Sequence, residues 1–185
     1  MKVIGISGSL RKGSYNTALL RAAIELAPEG MTIEAFPIGG IPLYDEDIRQ
    51  ASGYPEPVAA LRAAIAAADA LLIASPEYNY GIPGVLKNAI DWASRPPDQP
   101  FAGKPVAFMS ASNGMLGGAR AQYQLRQVCV YLDMYPVNKP EVFVARATEK
   151  IDAHGTLTDQ PTRQIIKTLL QSLSQWTTRL HSPSS

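Results

Sequence analysis

Short apolar runs alternate with longer amphipathic stretches along almost the whole chain, and this alternation limits the fold more than any other feature of the sequence. Residues 2–7 form a β-branched-rich run ended by Gly8 and Ser9, the pattern of a buried strand. Residues 15–27 place Leu19, Leu20, Ala23 and Leu26 at helical spacing before Pro28 and Gly30 stop them, and residues 31–37 read as a second strand. Pro55 and Pro57 introduce an alanine-rich helix through Ala68, with Val58, Leu61, Ile65 and Ala68 on one face; residues 70–75 are again strand-like. Pro83 stands where the first turn of a helix tolerates a missing N–H, and Val85, Leu86, Ala89, Ile90 and Ala93 recur along the face that follows. Residues 95–102 hold Pro96, Pro97 and Pro100 and form a stiff loop. Residues 105–110 give a fourth strand, 119–132 a helix, and 137–145 a fifth strand interrupted by Pro140. Pro161 opens a last helix in which Ile165, Ile166, Leu169, Leu170, Leu173, Trp176 and Leu180 form a stripe, and residues 181–185 read as a disordered tail.

Strands that alternate with helices need crossover connections, so the expected fold is α/β, a parallel sheet with helices on both faces. Five strands fit the doubly wound, flavodoxin-like order 2-1-3-4-5. A chain of 185 residues, 46% of them hydrophobic, can bury one substantial core, and a single domain over residues 1–180 is expected. In such a sheet ligands sit beyond the carboxyl ends of the strands where the order reverses. The chemistry is therefore expected in residues 8–17 and 76–84.

Seventeen basic and sixteen acidic side chains leave a net charge of +1, which provides no field for steering toward nucleic acid or an anionic membrane. A small-molecule partner is the expectation. Cys129 is the single cysteine, so an internal disulfide is excluded, and a lone thiol without CxxC spacing points to a reducing compartment. The opening residues reach glycine and serine too early for a signal-peptide core, and no apolar run approaches the roughly 18 residues of a membrane span. The cytoplasm is the expected location.

The first loop, Gly8-Ser9-Leu10-Arg11-Lys12-Gly13-Ser14-Tyr15-Asn16-Thr17, joins a strand to a helix start and is crowded with hydroxyls, an amide and cations. A helix start offers unpaired N–H groups and the positive end of a dipole, worth about 0.3–1 kcal/mol to an anion. A phosphate there could also accept bonds from Ser9, Arg11, Ser14, Asn16 and Thr17. The Walker pattern wants lysine after its second glycine, whereas Ser14 follows Gly13, and GxGxxG is absent. Ser14 as a plain N-cap and Arg11 as a solvated turn residue remain the alternative. The second loop, Ser75-Pro76-Glu77-Tyr78-Asn79-Tyr80-Gly81-Ile82-Pro83-Gly84, gathers aromatic faces and a proline-stiffened backbone at one strand end. That suits a planar heterocycle, although a structural turn whose tyrosines cover the core would read the same way. A third element, Ser110-Ala111-Ser112-Asn113-Gly114-Met115-Leu116-Gly117-Gly118-Ala119-Arg120-Ala121-Gln122, again leaves backbone N–H groups free, which can serve the pyrimidine edge of a flavin. The fold brings these loops together.

Taken jointly, the residues resemble the NADPH-dependent FMN reductases, whose relatives include quinone, chromate and azo-dye reductases. The resemblance rests on Gly8-Ser9-Leu10-Arg11 with Ser14 and Asn16, on Ser75-Pro76-Glu77-Tyr78-Asn79-Tyr80 with Pro83-Gly84 and Lys87-Asn88-Ala89-Ile90-Asp91-Trp92, and on Gly117-Gly118-Ala119-Arg120. It implies that Ser9, Arg11, Ser14 and Asn16 hold the FMN phosphate, that Pro76, Glu77, Tyr78, Asn79 and Tyr80 frame the flavin, and that Ser112, Asn113 and Gly114 lie by its pyrimidine side. The segment Pro42-Leu43-Tyr44-Asp45-Glu46-Asp47 resembles the family's Pro-Leu-Tyr loop with an added acid, and its role stays open. The activity implied is transfer of hydride from NADPH or NADH to flavin N5 and on to a quinone, chromate, azo compound or free flavin. The cofactor supplies the bond chemistry, so no protein acid or base is assigned. Asn79 and Tyr80 are expected to shape the acceptor pocket, and a homodimer or homotetramer is implied. A flavodoxin-type electron carrier is the competing reading; carriers are typically acidic, and this chain's charge is balanced. His154 and His181 are too isolated for a metal site or triad, Cys129 reads as a packed small hydrophobe, and Trp92 and Trp176 read as core or interface residues.

Overall fold

The computed structural model describes residues 1–182 and begins with β1 (Lys2–Ser7), whose Val3, Ile4 and Ile6 are all buried. There follow α1 (Tyr15–Glu25), β2 (Thr32–Phe36), α2 (Glu46–Ser52), α3 (Glu56–Ala67), β3 (Ala70–Ala74), α4 (Gly84–Ala93), β4 (Pro105–Ala111), α5 (Ala119–Leu132), β5 (Tyr135–Pro136), β6 (Val142–Val144) and α6 (Gln160–His181). Every residue of β3 and β4 is buried, as strands covered on both faces must be. All neighbouring strands pair in parallel in the order β2-β1-β3-β4-β5, with β6 also on β4.

One face of the sheet packs Val3, Leu72 and Met109 against α1 and α6, through Leu19, Ala23, Ile166, Leu169 and Leu173. The other packs Ile4, Leu71, Ile73 and Phe108 against α3, α4 and α5, through Leu61, Ile65, Leu86, Ile90, Leu125 and Cys129. Successive strand residues thus serve opposite cores, and the helical stripes read from the sequence are the faces that cover them.

Two expectations need correction, and one element was not foreseen. The fifth strand, expected over residues 137–145 with an interruption at Pro140, is two separate pieces and starts earlier: β5 pairs with Pro105 and Val106, β6 with Met109 to Ala111, and after the Val137 N–H reaches the Val106 carbonyl at 2.8 Å the chain leaves the ladder until β6. Pro140 lacks a ladder donor, and the Arg126 guanidinium takes the carbonyl of Val137 at 2.9 Å instead of a strand doing so. The helix α2 was not expected, because it buries no residue and so carries no apolar period. The last helix continues through His181 and is closed by Ser182, whose N–H donates to the Thr178 carbonyl at 3.0 Å. His181 is therefore helical and not part of a tail; the remaining tail residues, 183–185, lie outside the described residues.

Candidate functional site

The strand ends of β1, β3 and β4 meet in a cavity of about 140 Å³. The loop after β1 enters it when the Gly8 N–H donates to the Ala74 carbonyl at 2.8 Å and turns when the Ser14 N–H reaches the Arg11 carbonyl at 3.1 Å. Ser14 then caps α1, its Oγ accepting the Thr17 N–H at 3.3 Å. The cavity is lined by Ser9, Arg11, Ser14, Tyr15, Asn16, Pro76, Glu77, Tyr78, Ala111 and Ser112, so eight of the sequence-derived site residues converge on it and Tyr15 and Ala111 are added. Arg11 is exposed, lies 5.2 Å over the Tyr15 ring, and forms no ion pair among the described residues. An unspent guanidinium beside the start of a helix offers charge and unpaired N–H groups of the kind an anion can use.

Not every expected ligand faces this cavity with its side chain free. Asn16 is buried, and its amide is committed at both ends: Nδ2 donates to the Ala111 carbonyl at 3.1 Å and Oδ1 accepts the Ala111 N–H at 2.9 Å. What Asn16 leaves free is the N–H of a helix's first turn. The Thr17 hydroxyl is shared with Ser7 at 2.8 Å and does not line the cavity.

The loop after β3 is a tight hairpin in which Tyr78 and Gly81 exchange N–H···O bonds of 3.1 and 2.9 Å. Its central residues have positive φ, 50° at Asn79 and 66° at Tyr80. Asparagine visits this region readily; tyrosine does so at a cost of about 1–3 kcal/mol that its surroundings must offset. Those surroundings belong to α5. The Arg120 guanidinium lies 3.9 Å from the Tyr80 ring centroid. Gln124 donates to the Tyr80 carbonyl at 3.0 Å and accepts the Ile82 N–H at 3.2 Å, and the Glu77 carboxylate accepts the Arg120 N–H at 2.9 Å. Tyr78 and Tyr80 remain exposed, and Asn79 and Tyr80 stand outside the 140 Å³ cavity.

The loop after β4 is fastened to the chain beyond β6. Ser112 borders the cavity, while Asn113 Oδ1 accepts the Thr148 N–H at 3.2 Å and the Gly114 carbonyl accepts the Arg146 N–H at 3.4 Å. Asn113 and Gly114 themselves are exposed and do not line it. Gly117 and Gly118 have φ of 57° and 87°, and a Cβ there would come within 2.7 Å of the Phe143–Val144 backbone and of Ser110 Cβ. No other residue fits that close approach.

The sequence left the role of residues 42–47 open, and the structure gives one. The Pro42 carbonyl accepts the Asn88 amide and the Trp92 indole N–H, each at 2.8 Å, and Asn88 Oδ1 accepts the Tyr44 N–H at 2.8 Å. Tyr44 meets the Trp92 ring edge-on at 5.0 Å. Its hydroxyl donates to Glu46, which raises the phenol's pKa, and Glu46 is drawn down to about 2 by Arg49 and by that same hydroxyl. Asn88 and Trp92, spaced one helical turn apart on α4, were the available signal for this strap. Beside it lies an apolar cavity of about 290 Å³ with Leu10, Ile38, Ile41, Leu43 and Val85 in its walls.

Two other cavities, of about 580 Å³ between α4 and α5 and 310 Å³ between β5 and α6, are lined by no residue of the loop after β1. Cys129 is buried in the core, and burial pushes its thiol up to about 12, so at neutral pH it is protonated and not a nucleophile. Among the described residues no helix is long and apolar enough to cross a membrane.

The model of the family described as NADPH-dependent FMN reductase matches residues 1–149. An NAD(P)H-dependent FMN reductase of Pseudomonas aeruginosa is 58% identical over 180 residues, 97% of each chain. A quinone reductase of Escherichia coli is 49% identical over 164 residues, 88% of this chain and 87% of the relative. Among solved structures, the flavoenzyme FerB, an NAD(P)H:(acceptor) oxidoreductase from Paracoccus denitrificans, superposes with a TM-score of 0.86 at 34% identity, covering 96% of this chain and 97% of its own.

Proposed function

Because the chain belongs to the NADPH-dependent FMN reductase family, we propose that the cradle at the start of α1 takes the FMN phosphate and that the protein is an FMN-dependent NAD(P)H oxidoreductase with a quinone as acceptor. The observation that carries the reading is the Arg11 guanidinium, free of any carboxylate among the described residues, beside the Ser9 and Ser14 hydroxyls and the first turn of α1. This donor set fits a phosphate: it offers charge, hydroxyl protons and unpaired N–H groups, and no acid in the loop opposes an anion. Bound there, FMN supplies two-electron chemistry, taking hydride from NAD(P)H and passing the electrons to the acceptor.

The protein's part is to bind, orient and bound. Ser9, Arg11 and Ser14 anchor the phosphate, with the N–H of Asn16 beside them and Thr17 behind. Pro76, Glu77 and Tyr78 on one side and Ser112, Asn113 and Gly114 on the other limit where a flat ring can lie, and Asn79 and Tyr80 border the place shared by nicotinamide and acceptor. No side chain is required to move a proton. Chromate, azo compounds and free flavin are further acceptors that an open site of this kind would admit, and NADPH or NADH serves as the donor. We assign the working form to a homodimer or homotetramer in the cytoplasm, with a neighbouring copy closing the exposed tyrosines of the hairpin.

Anaerobic titration of the FMN-loaded protein with NADPH and with NADH, followed by turnover with quinone, chromate, azo dye and free FMN, tests the reading. Bleaching of the flavin by either nucleotide and re-oxidation by a quinone are expected. A protein that binds FMN but is reduced by neither nucleotide would instead be an electron carrier.

A further inference from the structure

The hairpin after β3 and the helix after β4 are fastened to each other at both ends of the hairpin. Ahead of it, the Glu77 carboxylate accepts the N–H groups of Arg120 at 2.9 Å and Ala121 at 3.3 Å, with the Arg120 guanidinium at 3.4 Å. Behind it, Gln124 holds the Tyr80 carbonyl and the Ile82 N–H. The helix α5 needs this help, because its own cap residue is Gly118, left-handed and without a side chain to accept those N–H groups. The close packing at Gly118 forbids a local serine or aspartate, so the cap is supplied from another loop. Glu77 is therefore the point where the two loops that face each other across the cradle are joined.

We propose that Glu77 is a positioning residue that sets the gap between the loop after β3 and the loop after β4, and so the fit of the flavin ring. The proposal rests on the reading of the cradle as an FMN site. A carboxylate serves better than any neutral group: one oxygen takes both N–H groups while the other faces the guanidinium. Glutamine keeps an acceptor for the N–H groups but presents an amide to Arg120; alanine keeps nothing. Losing the cap frees the start of α5 and with it the segment that leads in from Ser112, so the walls of the site lose their spacing while the phosphate anchor at Arg11 is untouched.

The test compares dissociation constants of FMN and of riboflavin, from quenching of flavin fluorescence, for the full chain and for Glu77→Ala, Glu77→Gln and Arg11→Ala, each well below its melting transition. Glu77→Ala is expected to weaken both flavins by the same factor, about tenfold, with most of the loss recovered in Glu77→Gln. Arg11→Ala is expected to weaken FMN alone. Should Glu77→Ala not fold, Gln124→Ala opens the other fastening and should weaken both flavins equally while speeding amide exchange at Ile82. Unchanged binding in the alanine variant that folds, or a loss confined to FMN, overturns the proposal. A parent chain that binds neither flavin overturns the cofactor reading as well.

Discussion

The loop after β1 and the strap at residues 42–46 are both short and polar, and each has a tyrosine ring beneath a guanidinium at 5.2 Å, Arg11 over Tyr15 and Arg95 over Tyr44, yet they have spent their polar groups in opposite ways. In the strap the carbonyl of Pro42, the N–H and hydroxyl of Tyr44 and the carboxylate of Glu46 are all bonded within the protein. In the first loop Arg11 has an aromatic neighbour but no carboxylate among the described residues, and the hydroxyl proton of Ser14 and the first N–H groups of α1 have no partner to which they are committed. A ligand loop is recognised by what its neighbours leave unsatisfied, and a structural loop by the completeness of its bonding.

The contrast can be broken by substitution. The largest effect belongs to the strap: Trp92 is fully buried, so Trp92→Ala should cost about 3–5 kcal/mol of stability in chemical denaturation. Trp92→Phe, which keeps most of the packing and loses the bond to Pro42, should cost about 1 kcal/mol, and an equal cost for both would show that the strap is held by that bond. Next in size, Arg11→Ala should weaken FMN by about 1.5–3 kcal/mol while leaving riboflavin affinity and the stability of the flavin-free chain within about 0.5 kcal/mol. A matching loss of stability would place Arg11 among the structural residues.

Smaller effects sharpen the same distinction. Tyr80 is 65% exposed, so Tyr80→Ala should lower stability by no more than the about 0.5–1 kcal/mol of an exposed cation–π contact while changing KM or kcat/KM for both nucleotide and quinone at unchanged FMN affinity. Unaltered kinetics with both substrates would remove it from the pocket. The smallest is at Cys129. Cys129→Ser should keep NADPH-dependent quinone reduction within a few-fold once flavin loading is matched. The folded thiol is raised from 9.0 to about 12 by burial, so above pH 9 the unfolded chain ionises while the folded one does not, and stability should decline more steeply through that window in the parent than in the serine variant.

The parts of the fold legible in sequence were those whose signal is local. The helix expected at residues 119–132 is α5 to the residue, because its apolar face repeats over several turns. Strand five is legible in its place and its break at Pro140 but not in its bounds, because Val137 and residues 142–144 are all apolar, and nothing in that run says that the Arg126 side chain will take the Val137 carbonyl. The three loops could be located from strand ends, and eight of the expected site residues line the cavity. The direction each side chain faces could not be read. Asn16 in a loop full of donors looks like a ligand, yet its amide turns inward to a strand 95 residues away, and Glu77 in a run of aromatic residues turns to a helix start 43 residues on. Such contacts are fixed by the register of the whole sheet, which no window of sequence contains.

The Asn16 amide has a bearing on how the protein is made. Its two bonds to Ala111 close the cradle from the side of β4, and β4 reaches β1 only through β3. A ribosome that has delivered Arg11 has still to synthesise most of the sheet before the cradle exists, since the middle strands must assemble first and long-range pairing is slow. Cofactor capture is then a late event, and flavin retained by a refolding chain reports that its centre is already in register.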